Sequence, residues 1–286
     1  MADSVLGAVF FIFGAVVGSF LNVCAYRIPL GESIIWPGSR CPSCGTELKP
    51  WDLVPMLSQL VQGSRCRYCG KRFSWQYFIG ELMSALLFLF AYIQFGAQGQ
   101  WGSAACTIVA GAALIIIFFI DLRHYIIPDE MVWIVFGVGV VWDVLRIAGN
   151  PDWGAFVTFR EPINMIANVH LPRSVVGAAV GGGLFLAIGW FFGRVFGKES
   201  LGGGDVKLAA AMGAILGAGY AFLVWFLMAV FAGALIGVLM WAIRARRRRE
   251  YIPFGPFLAV SGIVMMLWGG DMTTGFVSYF AASLLR

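Results

Sequence analysis

Charged residues are scarce in this sequence: Asp, Glu, Lys and Arg make up 12% of the 286 residues, against roughly a quarter in a soluble domain. With 60% of the residues hydrophobic and 15% aromatic, there is more apolar surface than one core can hide. A water-soluble globular domain and a disordered chain are both excluded. The strict alternation and ten-residue segments of a membrane barrel are missing too, which leaves apolar helices in lipid. No Lys or Arg precedes the first apolar run, residues 5–26, and Arg27 follows it. A secretory signal peptide has a basic start and a small-residue cleavage site. The expectation is therefore an uncleaved first helix with its N-terminus outside and its C-terminus in the cytoplasm. Internal repeats are absent, and so is any low-complexity tract beyond an Arg-rich loop at Arg244 and Arg246–Arg249.

Further apolar runs lie at residues 76–98, 103–120, 131–148, 174–196, 206–218, 220–243 and 252–269. The expected architecture is all-α: a polytopic membrane helix bundle of about eight transmembrane helices with a small cytoplasmic zinc-binding loop domain. Its parts are a first helix (1–26), the loop domain (27–75) and a multi-span core (76–286). The run 206–218 is short for a span, and a last run, 273–285, reads as re-entrant, interfacial or a partial ninth span. Orientation follows from the cations. The polar stretch 27–75 carries seven Lys and Arg against Glu32, Glu47 and Asp52, and alternate threading puts sixteen of the twenty Lys and Arg on the same side. Cationic loops stay cytoplasmic. The net charge of +5 thus speaks of orientation and anionic lipid headgroups, with no nucleic-acid partner implied.

Two acids stand out. Asp121 ends the unbroken apolar run Ala112–Ile120, and Asp205 opens another after Gly202, Gly203 and Gly204. Threading places both at cytoplasmic helix ends, where an ionisable group is costly without a partner or a task. Two carboxylates meeting at one level form an aspartyl dyad that shares one proton. The ionised member takes a proton from water while the protonated one polarises a peptide carbonyl. The alternative is two unrelated boundary charges. The three glycines read either as room for a substrate backbone and unusual backbone angles, or as a flexible loop. Asp129, after Pro128, fits the first turn of a helix and a supporting role. Lys207, two residues past Asp205, does not share its helix face; its charge favours ionisation of one Asp or meets headgroups. Glu81 is a helix-start charge, a partner for Arg27, or part of the active site. His124 reads as solvated, and Cys24 and Cys106 as core or lipid-facing.

Cys41-Pro-Ser-Cys44-Gly and Cys66-Arg-Tyr-Cys69-Gly form two Cys-x2-Cys pairs separated by 21 residues. Four thiolates suit tetrahedral Zn2+, and a Gly after the second Cys of each pair turns the backbone towards the metal. Two disulfides are the rival reading, and a reducing cytoplasm argues against them. Four protein sulfurs leave no open coordination position, so one structural zinc per chain is expected.

The strings Asp121-Leu-Arg-x-x-x-Ile-Pro-Asp129 and Gly202-Gly-Gly-Asp205-Val-Lys207-Leu closely resemble the prepilin peptidase family of bacterial membrane aspartyl proteases. The second string matches that family's Gly-x-Gly-Asp signature, shared more loosely with presenilin-like proteases. Gly18-Ser-Phe-Leu-Asn22, Tyr26-Arg27-Ile-Pro29, the cysteine loop, Glu81-Leu and Pro253-Phe-Gly-Pro-Phe257 look like further landmarks in the family's order. The resemblance implies an inner-membrane enzyme that cleaves the leader of type IV prepilins or type II secretion pseudopilins after a Gly. It implies Asp121 and Asp205 as the catalytic pair. Members with the cysteine loop also N-methylate the new N-terminus with S-adenosylmethionine, although no glycine-rich nucleotide fingerprint is visible here. The other readings are a peptidase without methylation, and a non-enzymatic channel or zinc-containing assembly scaffold.

Overall fold

The computed structural model describes residues 2–41, 43–149, 156–158, 170–196, 201–242 and 252–284. The chain divides into two compact units, Met1–His124 and Tyr125–Arg286. The first holds α1 (Ala2–Arg27), the one-turn α2 (Leu57–Val61), α3 (Gln76–Gln94) and α4 (Trp101–His124). The second holds α5 (Asp129–Gly149), α6 (Arg173–Phe196), α7 (Gly203–Leu216), α8 (Tyr220–Ala242) and α9 (Gly255–Leu284). Each of the eight apolar runs is therefore helical. Two three-residue strands, β1 (Phe156–Thr158) and β2 (His170–Pro172), pair antiparallel between α5 and α6. The Arg-rich cluster at 244–249, Lys198 and Arg160 lie outside the described residues.

Among the described residues, five helices are long and apolar enough to cross a membrane: those of α1, α3, α4, α6 and α8. The expected eight is thus met in length and composition for five. The 14-residue α7 rises only about 21 Å, against a hydrocarbon core of about 30 Å. Moreover, α5 carries Asp129, Glu130, Asp143 and Arg146. The run 273–285 is not a separate element. It is the second half of α9, which is continuous over 30 residues. The polar interval that divides the two runs in sequence contains Gly269 and Gly270 but no proline, and such glycines cost a helix only about 1 kcal/mol each. The Thr273 hydroxyl donates to Gly269 O at 2.7 Å, so the hydroxyl is paired within the helix.

Helix contacts in both units rest on absent side chains. A Cβ at Gly18 of α1 would lie 2.7 Å from Glu81 Cα, and one at Gly14 would lie 2.7 Å from Phe88 Cβ of α3. In the second unit a Cβ at Gly177 of α6 would strike the Gly213 carbonyl of α7 and sit 2.8 Å from Gly217 Cα. These are the close backbone approaches expected where small residues line a helix interface. Gly183, by contrast, faces open space. Cys24 and Cys106 are both buried, which resolves them as core. Gly177→Val is expected to force α6 and α7 apart and cost about 1–3 kcal/mol, read as a lowered melting temperature of the detergent-solubilised protein. An unchanged melt would contradict the packing described.

Candidate active site and metal centre

Asp121 sits in the last turn of α4, at the end of a buried stretch, and is only 5% exposed. The helix stops just beyond it because Tyr125 takes a left-handed conformation, φ 58°, which an L-residue adopts reluctantly. Pro128 then precedes α5. Exposed His124 confirms the solvated reading of that residue.

Asp205 belongs to the second unit and lies in the first turn of α7, where an acid is favoured by the helix dipole. Gly202 is the N-cap in extended conformation, and the Asp205 amide donates to Gly202 O at 3.1 Å. A Cβ at Gly202 would come within 3.3 Å of Asp205 Oδ2, and one at Gly204 would lie 3.0 Å from Ile127 Cβ. Side chains there would crowd the carboxylate and the residues before α5. Gly203 meets nothing, and none of the three has positive φ. Bareness at 202 and 204, not unusual backbone angles, is what the glycines provide.

Lys207 Nζ bonds both carboxylate oxygens of Asp129 at 2.8 Å. The sequence offered Asp205 or headgroups as its partner; Asp129 takes it instead, tying the start of α7 to the start of α5. Both side chains are 56% exposed, so the pair is worth about 0–1 kcal/mol. Lys207→Ala is expected to change stability by less than about 1 kcal/mol, measured by thermal denaturation in detergent; a larger loss would mean that Lys207 has a further partner.

The four cysteines come together as expected. The sulfurs of Cys41, Cys44, Cys66 and Cys69 all lie within 4.8 Å of one another, Cys41 and Cys69 being 3.9 Å apart, and none is in a disulfide. Zn–S bonds of about 2.3 Å in a tetrahedron place sulfurs about 3.8 Å apart, so the cluster needs only slight contraction to close on a metal. The two halves repeat one design. The amide of Gly45 donates to Cys41 O at 2.8 Å and that of Gly70 to Cys66 O at 2.9 Å; the amides of Cys41 and Cys66 donate to Thr46 O and Lys71 O. Both glycines have φ near +70°, a conformation open to glycine at no cost. The Thr46 hydroxyl, 3.2 Å from the Cys44 sulfur, and the Thr46 backbone pull the Cys44 thiol down to about 6. The Lys71 amide also lowers Cys69, but burial and the crowding sulfurs outweigh it and push that thiol up to about 11. Four sulfurs this close cannot all be anionic without a cation between them.

Around the cluster runs wiring that spacing alone did not show. Asp52 accepts from the Lys49 amide, Gln62 Nε2 and the Tyr68 hydroxyl, with Arg67 Nε 3.4 Å away. Arg27 donates to Ser33 O and Pro37 O at 2.8 and 2.7 Å, and is not paired with Glu81. Buried Glu81 accepts the Met56 amide at 2.7 Å and so holds Met56 at φ 58°. In the second unit, buried Asp143 accepts the Ser174 amide at 2.6 Å, and Arg173 donates to Leu216 O at the end of α7. Lone charges in a membrane sequence invite a search for a carboxylate or guanidinium partner; Asp143 has Arg146 at 3.8 Å beside its backbone bond, whereas Arg27, Glu81 and Arg173 bond backbone.

Residues 12–95 match the model of the bacterial peptidase A24 N-terminal domain, and residues 108–238 match that of the type IV leader peptidase family. A protein of Xanthomonas campestris pv. campestris named prepilin leader peptidase/N-methyltransferase is 31% identical over 93% of this chain and 92% of its own length. This chain belongs to the type IV leader peptidase family. Relatives of the same name from Legionella pneumophila and Pseudomonas aeruginosa are 32% and 30% identical, over 94% and 93% of this chain and 93% and 91% of theirs. No solved structure matches. The N-terminal match takes in α1 from residue 12 on, the cysteine segment and α3, while the second match contains both Asp121 and Asp205.

Proposed function

We propose that this protein cleaves the leader of type IV prepilins or type II secretion pseudopilins after a Gly, and then N-methylates the new N-terminal residue with S-adenosylmethionine as donor. The observation that carries the reading is the match of both family models, in order, along one chain whose full-length relatives are named for both activities. It works in the bacterial inner membrane, with its cation-rich side, residues 27–75 included, in the cytoplasm. Segments 1–26, 27–75 and 76–286 serve as first anchor, zinc module and peptidase core.

Asp121 and Asp205 are the catalytic pair. The ionised carboxylate takes a proton from water, whose oxygen adds to the scissile carbonyl carbon; the other, protonated, donates to the carbonyl oxygen. The C–N bond then breaks, the proton held by the first Asp passes to the leaving amine, and the hydroxyl formed from the carbonyl oxygen returns its proton to the second Asp. Gly202 keeps the Asp205 carboxylate uncrowded, Gly204 leaves room for Ile127 ahead of α5, Gly203 faces open space, and Asp129 with Lys207 braces the start of its helix. Glu81 supports the cysteine module through Met56. Cys41, Cys44, Cys66 and Cys69 hold one structural Zn2+. S-adenosylmethionine supplies an electrophilic methyl group, which requires the new terminal amine to be uncharged.

The test is to incubate the purified, zinc-loaded protein in detergent with a prepilin and S-adenosylmethionine, and to weigh the product. The expected mass is that of the leaderless chain with one N-terminal hydrogen replaced by methyl. An intact prepilin would overturn the reading; a cleaved, unmethylated product would reduce it to the peptidase.

A further inference from the structure

A cavity of about 290 Å3 lies within the first unit. Its floor is formed by α1 and α3, through residues such as Asn22, Tyr26 and Tyr77, and its roof by the cysteine module, through Gln59 and Phe73. Nothing in the peptidase chemistry above uses it. We propose that this cavity is the methyl-donor site and takes S-adenosylmethionine, a zwitterionic amino acid joined through a sulfonium to a nucleoside. The proposal rests on the methyl-transfer reading above.

Three features fit that chemistry. First, the walls carry carboxylates (Glu32, Asp52, Glu81) and guanidinium groups (Arg27, Arg40, Arg65) in equal number. A balanced set suits a ligand with an ammonium and a sulfonium to face acids and a carboxylate to face Arg, whereas a free phosphate or a simple cation would favour one sign. Second, the aromatic rings of Tyr26, Phe73 and Tyr77 line the same space. Flat apolar faces receive a purine by stacking and a sulfonium by cation–π attraction. Third, two acceptors in this wall, Gln59 Oε1 and Asn22 Oδ1, are buried without a hydrogen-bond partner. An orphaned buried acceptor has lost its water without gaining a partner, so such atoms signal a missing donor. The exocyclic amine of adenine and the ribose hydroxyls are donors of that kind. Of the two, Gln59 carries more weight, because the Asn22 amide packs closely against Gly80. The volume is at the lower edge of the ~300–1,000 Å3 usual for small-molecule sites, which suits a nucleoside-sized ligand rather than a peptide.

The roof is built by the cysteine module, and the Arg27 and Glu81 contacts described above attach that module to α1 and α3. The metal and the donor are therefore coupled: ligation by the four sulfurs holds the roof over the floor.

The test has two arms on the full-length, zinc-loaded protein in detergent. In the first, equilibrium binding of S-adenosylmethionine is compared between the parent protein, Gln59→Leu and Glu81→Gln, with zinc content as the control for folding. Gln59→Leu is expected to weaken binding about tenfold, and Glu81→Gln by more, since the second loses an interaction with a charged group. In the second, an azido-adenosyl analogue of the donor is photolysed on the parent protein and the labelled peptide is mapped. The label is expected within residues 19–81. Undiminished binding by both variants, or a label confined to the second unit, would overturn the site and leave methyl transfer standing elsewhere. A parent protein that cleaves prepilin but binds no donor would overturn the methyl-transfer reading, and this site with it. Should a variant lose its zinc, the photolabel on the parent protein decides.

Discussion

Asn in place of either Asp121 or Asp205 is expected to slow leader cleavage at least ~1,000-fold, about 4 kcal/mol of transition-state stabilisation. The change preserves shape and removes only the titratable carboxyl, so insertion and helix packing should survive. The size follows from the division of labour. One carboxyl must carry a negative charge to take the proton from water, and the other must carry a proton to give to the carbonyl oxygen. An amide can do neither, and a dyad reduced to one member keeps little of its rate because its members act as a unit. Cleavage of a prepilin in membranes containing equal amounts of each variant measures this directly. Near-normal cleavage by both variants would remove the dyad, and with it the aspartyl mechanism. Asp129→Asn loses only an exposed pair with Lys207 and should fall far less.

Removing the metal should have the second largest effect. The cysteine module has little core of its own: among its described residues the α-helix is the five-residue α2, and Ile35, Trp36, Leu57, Leu60 and Val61 are all exposed. Burial of so few apolar groups cannot offset the ordering entropy of the segment. Ligation of the proposed zinc by four cysteines would supply what is missing; structural zinc is worth roughly 10–16 kcal/mol in small zinc modules at neutral pH. A strong chelator, or Cys41→Ser, is therefore expected to make residues 33–73 sensitive to protease while α1 and α3 stay in the membrane, and to abolish donor binding. Elemental analysis should find about one zinc per chain beforehand. Metal-free protein that keeps both its protease resistance and its donor binding would overturn the structural role.

Much of this molecule could be read without coordinates, for identifiable reasons. Apolar runs near 20 residues have little choice but helix in lipid, since every backbone polar group must be satisfied within the segment; all eight runs are helical. Each pair of cysteines is aimed at one point because Cys-x2-Cys-Gly dictates a tight knuckle through nearby hydrogen bonds alone. What escaped was long-range or permissive. The merging of 252–269 with 273–285 into α9 depends on a glycine pair tolerated rather than dictated. Glu81 had three readings from sequence, yet its partner is the Met56 amide, 25 residues away in the cysteine segment. Lys207 was assigned to headgroups or to Asp205, and Asp129, 78 residues distant, takes it.

The order of motifs, the scarcity of charge and the cysteine spacing were enough to define the lipid environment, the helical class, the four cysteines that cluster and the two acids proposed for catalysis. Those properties are local: they depend on how many apolar residues lie in a row, or on residues a few positions apart. Only the tertiary structure decided where the cysteine module attaches, which glycines are bare for steric reasons, and that a cavity with charged and aromatic walls lies between that module, α1 and α3. Such features arise when segments tens of residues apart close on one another, and the pairing is set by packing and hydrogen bonding in three dimensions, which no run or spacing along the chain encodes by itself.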